Sequence, residues 1–457
     1  MSFFRFSVLS LAIVAAHPVG ARAEAPTLQA AIGNPADFKL SGSIRARYEI
    51  LDGQPRTGFR GEDEQLALRT ILTAEYRQDA VRLAAELYDS RVYLDRAGSA
   101  VTTSEVNALE LVQLYAGVDL GAALGPGSSM QLTAGRMTLN LGSRRLVAAD
   151  DYRNTTNGYT GLRADVKARD GTTATLIYML PQVRLPDDLP SLRANRAGWD
   201  RESFDLQLWG GLVARPKTLA GATLELGYFG LAERDRPDLA TRNRKLHTVS
   251  ARVVRDPQPG RWDFEAEGIY QLGSVRASTA PAATSLYVDA WFLHADAGYS
   301  FPGPAKLRLS VEYDRASGDG PGGRFGWFDT LFGMRRADLA PAGIYNAIGR
   351  ANISTPGVRA ELAPSARFDA FAAYRAMWLA ERTDVFSTTG VRDASGRSGN
   401  FAGHQLEGRV RYWLVPGFLR AEVNAVWLAK GRFLREAPNA PNTGDTHYLA
   451  TGLTASF

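Results

Sequence analysis

The chain has 457 residues, 45% apolar and 22% charged, with 17 tyrosines, 8 tryptophans and no cysteine. That composition excludes a disordered protein, a disulfide framework, a cysteine metal site and a thiol nucleophile. Net charge is +5, or +3 once residues 1–23 with Arg5 and Arg22 are set aside, so the chain is no nucleic-acid polyelectrolyte.

Residues 1–23 carry Arg5, an apolar run from Phe6 to Ala16, a Pro18/Gly20 break and Ala21-Arg22-Ala23. This is the layout of a cleaved secretory signal, and its apolar run is too short to span a bilayer as a helix. Residues 24–37 read as a short periplasmic segment. From 38 onward, helical periodicity gives way to alternation of period two, which predicts strands. In the first, Ile44, Ala46, Tyr48 and Ile50 oppose Ser43, Arg45, Arg47 and Glu49. In 261–272, Trp262, Phe264, Ala266 and Tyr270 oppose Asp263, Glu265, Glu267 and Gln271. Eighteen strands are expected, at 38–51, 65–77, 80–90, 108–120, 129–139, 158–169, 172–181, 203–214, 222–233, 245–255, 261–273, 286–300, 305–316, 346–362, 366–381, 403–414, 418–430 and 445–457.

Every second connector is short and carries turn formers, as in Arg169-Asp170-Gly171, Pro302-Gly303-Pro304 and Val415-Pro416-Gly417. The others are long and polar, 317–345 being the longest. This rhythm predicts an all-β fold over 38–457. It would be a single 18-stranded antiparallel transmembrane barrel with short periplasmic turns and long extracellular loops. A soluble sandwich or propeller also alternates, but its strands are shorter and only one face of each sheet can hold charges in mid-strand. In lipid the sheet must close, because unpaired edge groups cost several kcal/mol each. Eighteen strands leave a lumen too wide for side chains alone to fill, so a water-filled channel is expected unless loops plug it.

Particular residues then carry a family likeness. The run Gly135 to Val147, with Arg136, Arg144 and Arg145, then Asp151-Tyr152-Arg153-Asn154-Thr155 and Tyr159-Thr160-Gly161-Leu162-Arg163, resembles the alginate export family of outer-membrane barrels. The first strand and the segment Phe325 to Phe332 support it, and the likeness covers the whole chain beyond residue 23. It implies an electropositive pore in the bacterial outer membrane, ringed by arginines and gated by loops, that exports a polyuronate such as alginate. It also implies contacts with outer-membrane lipid and lipopolysaccharide, the barrel-insertion machinery and periplasmic export components. A terminal Phe457 behind an alternating strand resembles the signal that this machinery reads.

The residues themselves point the same way. Lysine occurs at only six positions, so the basic charge is almost all arginine. Guanidinium is always charged and grips carboxylates through a flat fork, and a ring of them selects anions. Inward parity selects Arg45, Arg47, Arg69, Arg163, Arg359, Arg375, Arg409 and Arg411 as pore-lining residues. Arg144, Arg145 and Arg153 lie just beyond the fifth strand. Arg136 shares parity with Leu132 and Ala134 and needs a β-bulge or register change to turn inward. The bland alternative is that each arginine merely pairs with a lumen carboxylate.

No catalytic residue, cofactor or metal is expected. His294 and Asp296 share a face, but no serine nucleophile accompanies them. Ser317 to Gly323 lacks the context of a phosphate or calcium loop and reads as a mobile external loop. Residues 317–345 are long enough to fold over the mouth as a lid. The leading function is a channel for an anionic polysaccharide, with an uptake porin for small carboxylates or phosphates as the alternative and a barrel enzyme behind both.

Overall fold

The structure, a computed structural model, describes residues 26–335 and 338–457. The candidate signal at 1–23 lies outside the described residues. Strands β1 (Phe38–Asp52), β2 (Glu62–Gln78), β3 (Val81–Tyr93), β4 (Asn107–Asp119), β5 (Ser129–Met137), β6 (Tyr159–Lys167), β7 (Thr173–Pro181), β8 (Leu206–Arg215) and β9 (Thr223–Glu233) form one half of a sheet. The other half is β10 (Lys245–Arg255), β11 (Arg261–Arg276), β12 (Ser285–Ser300), β13 (Arg308–Ala316), β14 (Ile353–Ser365), β15 (Phe368–Trp378), β16 (Phe401–Val415), β17 (Leu419–Lys430) and β18 (Thr446–Ser456). Each pairs antiparallel with its chain neighbours, and β18 returns to β1 from Ser43↔Ser456 to Asp52↔His447. The sheet is therefore a closed, eighteen-stranded antiparallel barrel, with an added two-residue strand, Arg324–Phe325, parallel to β12.

The face that a soluble protein would bury points out. Leu162, Leu176 and Val311 are 59–61% exposed, and Ile44, Leu114, Val358 and Leu453 join them around the circumference. A continuous apolar belt of this size marks a lipid-facing surface. Trp262, Tyr299 and Phe301 cluster at the short-turn end of β11 and β12, with ring centroids 5.3 and 5.0 Å apart, where an interface girdle belongs. No described helix is long and apolar enough to cross a membrane; the crossing is by strands.

The long connectors depart from expectation. Residues 317–345 do not form a lid above the mouth: the chain turns into the lumen from Phe328 onward. Leu339, Ile344, Tyr345, Ala347 and Ile348 are almost fully buried, which also delays β14 from 346 to Ile353. The physical reason is composition. Phe328, Leu331, Phe332, Met334, Leu339, Ile344 and Ile348 are too apolar for an exposed loop, so burial inside the barrel is favoured. Ser317 and Asp319 are tied down, the Ser317 hydroxyl donating to the Trp291 carbonyl and the Asp319 amide to Asp384 at 2.6 Å, while Pro321 to Gly323 stay exposed as an external loop would.

Residues 138–158 and 379–391 also fold inward. With 328–348 they build a core around Leu139, Leu141, Leu146, Val147, Phe386 and Val391, packed on Phe229, Ile269, Phe292 and Leu428 of the wall. Two inward segments pair as a short parallel ladder: Phe332 N donates to Leu146 O at 2.9 Å, and Ala148 N to Phe332 O at 3.1 Å. Gly333 permits that approach, since a Cβ there would stand 1.8 Å from the Arg145 carbonyl. Gly333→Ala is expected to cost about 1–3 kcal/mol. Exchange of the Phe332 and Met334 amides should quicken roughly tenfold or more while strand amides keep their protection; equal rates would contradict the packing.

The same inward segments reach the seam between the first and last strands. Glu49 of β1 accepts from the Ile344 amide at 3.1 Å and from the Tyr448 hydroxyl of β18 at 2.9 Å. Tyr448 in turn shares a hydrogen bond of 2.9 Å with Tyr152.

Candidate functional site, an arginine-lined constriction

The tips of two inward segments, at Asp151-Tyr152 and Met334, face the wall formed by β1, β2 and β14 to β18 across a cavity of about 400 Å³. Among the described residues, Arg45, Arg47, Arg69, Arg144, Arg359, Arg409, Arg411 and Arg420 line it, against only Asp151 and Glu422. Alternation on five strands puts seven of these on the inward face, and the segment 138–158 contributes Arg144.

The partners decide which charges remain uncompensated. Arg45 donates to the carbonyls of Asp151 at 3.2 Å and Arg153 at 2.8 Å and to Asn154 Oδ1 at 3.2 Å. Arg69 donates to the same two carbonyls at 3.3 and 3.1 Å. Carbonyl dipoles orient these guanidiniums without cancelling their charge. Arg409 and Arg411 share one carboxylate, Asp369, at 3.2 and 2.9 Å. Arg420 approaches Glu422 only to 3.7 Å. Arg47 pairs with Glu49 at 2.7 Å and lies 4.5 Å from the centre of the Tyr152 ring. Arg144 pairs with Asp151 at 2.7 Å, and Arg359 pairs with Glu361 at 2.9 Å while lying 3.8 Å over Phe371. The cavity therefore keeps a surplus of positive charge within low-dielectric walls, where its field is strongest.

Five arginines expected from sequence are placed elsewhere. Arg136 keeps the parity of Leu132 and Ala134, and its guanidinium is held in the wall by Glu110 at 2.6 Å and Glu202 at 2.9 Å. Irregular β3–β4 pairing at Glu86/Leu87 and Gly135 at φ +126° mark the local distortion, but they do not bring it to the cavity. Arg163 faces inward on β6 and pairs with Asp165 at 2.6 Å. Arg375 is buried between Glu312 and Asp314, at 3.3 and 3.6 Å. Arg153 turns away from the constriction toward Asp150, at 3.1 Å.

Arg145 is a clamp. It donates to both carboxylate oxygens of Asp338 at 2.9 and 3.0 Å, to Glu267 at 2.5 Å and to Glu265, while Arg350 also holds Asp338. Burial pushes the Asp338 carboxyl up, but the guanidiniums of Arg145 and Arg350 outweigh it and hold it well below the usual carboxylate range.

Arg420 was missed as a candidate although its parity is inward, because its site depends on which strands closure brings together. His294 pairs with Asp314 on the next strand, at 2.7 Å, rather than with Asp296, which binds Arg308.

A model of the alginate export family matches residues 37–445. No curated protein matches the chain significantly in sequence. Among solved structures, a BenF-like porin from Pseudomonas fluorescens Pf-5 is 15% identical, with a TM-score of 0.58 over 92% of this chain and 99% of that one. Pseudomonas aeruginosa OccK2 (OpdF), solved in complex with glucuronate, is 14% identical, with a TM-score of 0.55 over 92% and 98%. Acinetobacter baumannii OccAB1 is 12% identical, with a TM-score of 0.55 over 92% and 96%. These likenesses show the fold, an outer-membrane porin barrel. With the family match over most of its length and a closed eighteen-stranded barrel belted by apolar residues, the chain belongs to the alginate export family of the bacterial outer membrane.

Proposed function

We propose that this outer-membrane channel passes an anionic polysaccharide, an alginate-like polyuronate, outward through its arginine-lined constriction. The observation that carries the reading is the balance at the cavity: eight arginines against two carboxylates. Arg45, Arg69, Arg411 and Arg420 supply the surplus charge and the flat forks that a chain of carboxylates can pass along, from one guanidinium to the next. Many moderate contacts suit conduction better than one tight site, since the substrate must also leave. Arg47, Arg144 and Arg359 shape the rim. Arg136, Arg145, Arg163, Arg375 and Arg153 serve outside this constriction. The inward segments are the gate that an exporter of a viscous polyanion needs at rest.

A second reading, passage of small carboxylates, is favoured by one observation: the cavities beside the inward segments are small, a few hundred Å³ each. OccK2 (OpdF), which shares the fold, was solved with glucuronate, a single sugar acid.

Planar-bilayer recordings separate the two. Under a salt gradient, the reversal potential is expected to favour anions. Polyuronate is expected to block the current in a voltage-dependent manner, with the block weakening toward ~1 M salt, where the screening length is ~3 Å. Block by monomeric uronate without any block by the polymer would support the second reading, and cation preference would defeat both.

A further inference from the structure

Beyond the constriction lies a second, smaller cavity of about 280 Å³. A strip of backbone separates the two. Asp150 and Arg153 face the small cavity, whereas Asp151 and Tyr152 face the constriction; Gly333 and Arg335 face the one, and Met334 the other. Three guanidiniums, those of Arg153, Arg184 and Arg335, converge on the small cavity with a single carboxylate, Asp150. They come from three different inward or capping segments, so no local sequence pattern brings them together.

Their partners compensate only part of the charge. Asp150 pairs with Arg153 at 3.1 Å. Arg153 and Arg184 both donate to one neutral oxygen, Asn157 Oδ1, at 2.7 and 2.9 Å. The amide of Asn157 is fixed in that orientation, because its Nδ2 donates to the carbonyls of Ala148 at 2.9 Å and Phe332 at 3.0 Å. Arg184 otherwise reaches the Thr156 carbonyl at 3.1 Å, and its buried Nε has no acceptor among the described residues. Arg335 donates to Asn346. Burial and the neighbouring charge of Arg153 push both Arg184 and Arg335 down to about 10. Three clustered cations with one carboxylate at the cavity, and with Asp200 and Glu105 acting on Arg184 without a direct ion pair, are costly unless an anion joins them.

We propose that this cavity is a discrete binding site for a small carboxylate no larger than one sugar acid, held by Arg153, Arg184 and Arg335 and separated from the constriction. Its volume sits at the lower edge of the ~300–1,000 Å³ of small-molecule pockets, which excludes an oligomer but admits one monomer unit. The Ser104 side chain offers a polar edge to a sugar ring. The site rests on the anionic-substrate reading, but it makes a separate claim: a second station on the far side of the strip, loaded independently of the first.

The test uses the full-length barrel in detergent. Titration calorimetry with galacturonate, against neutral galactose, reads binding. Galacturonate alone is expected to bind. Arg184→Gln with Arg335→Gln should weaken it at least tenfold, while Arg163→Gln, which lines neither cavity, should change it less than threefold. The converse pattern, or no galacturonate binding, overturns the second site; the anion preference in bilayers then still decides the channel reading by itself. In case the double variant fails to fold, arginine labelling by phenylglyoxal on the unaltered protein gives the same answer. Galacturonate should protect Arg153, Arg184 and Arg335, as read by mass spectrometry. Unprotected labelling of all three overturns the site.

Discussion

Arg145→Ala is expected to open the barrel. The arginine is 4% exposed and is held by three carboxylates, Asp338 on the inward segment and Glu265 and Glu267 on β11. Its removal leaves these acids facing one another with too little counter-charge, and breaking a buried pair in this way costs about 3–5 kcal/mol. The strain falls on the segment carrying Asp338, since Glu265 and Glu267 are fixed in a strand. The segment should detach from the wall, raising single-channel conductance several-fold and admitting large antibiotics. Heat-modifiable migration on gels should persist, because every strand pairing is untouched. Unchanged conductance in a folded variant would mean that the apolar core around Phe328 and Ile344 holds the segment unaided. Protonation is a weaker lever than mutation. The depressed Asp338 carboxyl contributes fully above its unfolded value near pH 4, and the contribution is lost only as pH falls through the lower folded value. Mild acid at about pH 5 should therefore leave conductance at its neutral level.

Reversing Arg69 and Arg411 together to glutamate should abolish the anion preference. The lining charge falls from +6 to +2, and the two new carboxylates stand where a passing anion would approach. A unit charge at 4 Å weighs ~4 kcal/mol at an effective dielectric of ~20, so even a screened fraction is expected to lower the anion-to-cation permeability ratio by about tenfold. Arg163→Glu makes the comparison. That arginine also faces inward, yet it pairs with Asp165 and lies apart from the constriction, so a change of less than about twofold is expected. If Arg163→Glu has the larger effect, the path runs along β6 and the constriction has been misplaced.

The barrel was legible because each strand solves a local problem. Ile44 and Tyr48 must meet lipid while Arg45 and Arg47 must not, and that conflict writes itself into the sequence as alternation. Turn chemistry at Asp170-Gly171 and Pro416-Gly417 then sets the count. The constriction was only half legible. Parity identified inward arginines, including Arg45, Arg69, Arg409 and Arg411, but parity cannot say at what height or beside which acid an arginine lies. Arg145 and Arg375 are arginines like Arg411, and only the acids that folding brings beside them, Asp338 and Glu267 for the first and Glu312 and Asp314 for the second, set them apart. The inward segments were misjudged for a different reason. Their polar and glycine-rich beginning, Ser317 to Gly323, resembles an exposed loop, whereas the apolar stretch from Phe328 to Ile348 carried the signal for burial. Arg184 and Arg335, which sit in connectors, follow no period at all.

Glu49, Tyr448, Tyr152 and Ile344 meet at the seam where the last strand joins the first. This junction imposes an order of events. Until β18 pairs with β1, Tyr448 is not beside Glu49, and the segments bearing Tyr152 and Ile344 have no completed surface on which to settle. Docking of these segments at the seam must therefore follow closure, so each newly inserted molecule is expected to pass through an interval as a partly open pore. The length of that interval, set by how fast the inward segments dock, becomes a quantity on which the cell's permeability barrier depends.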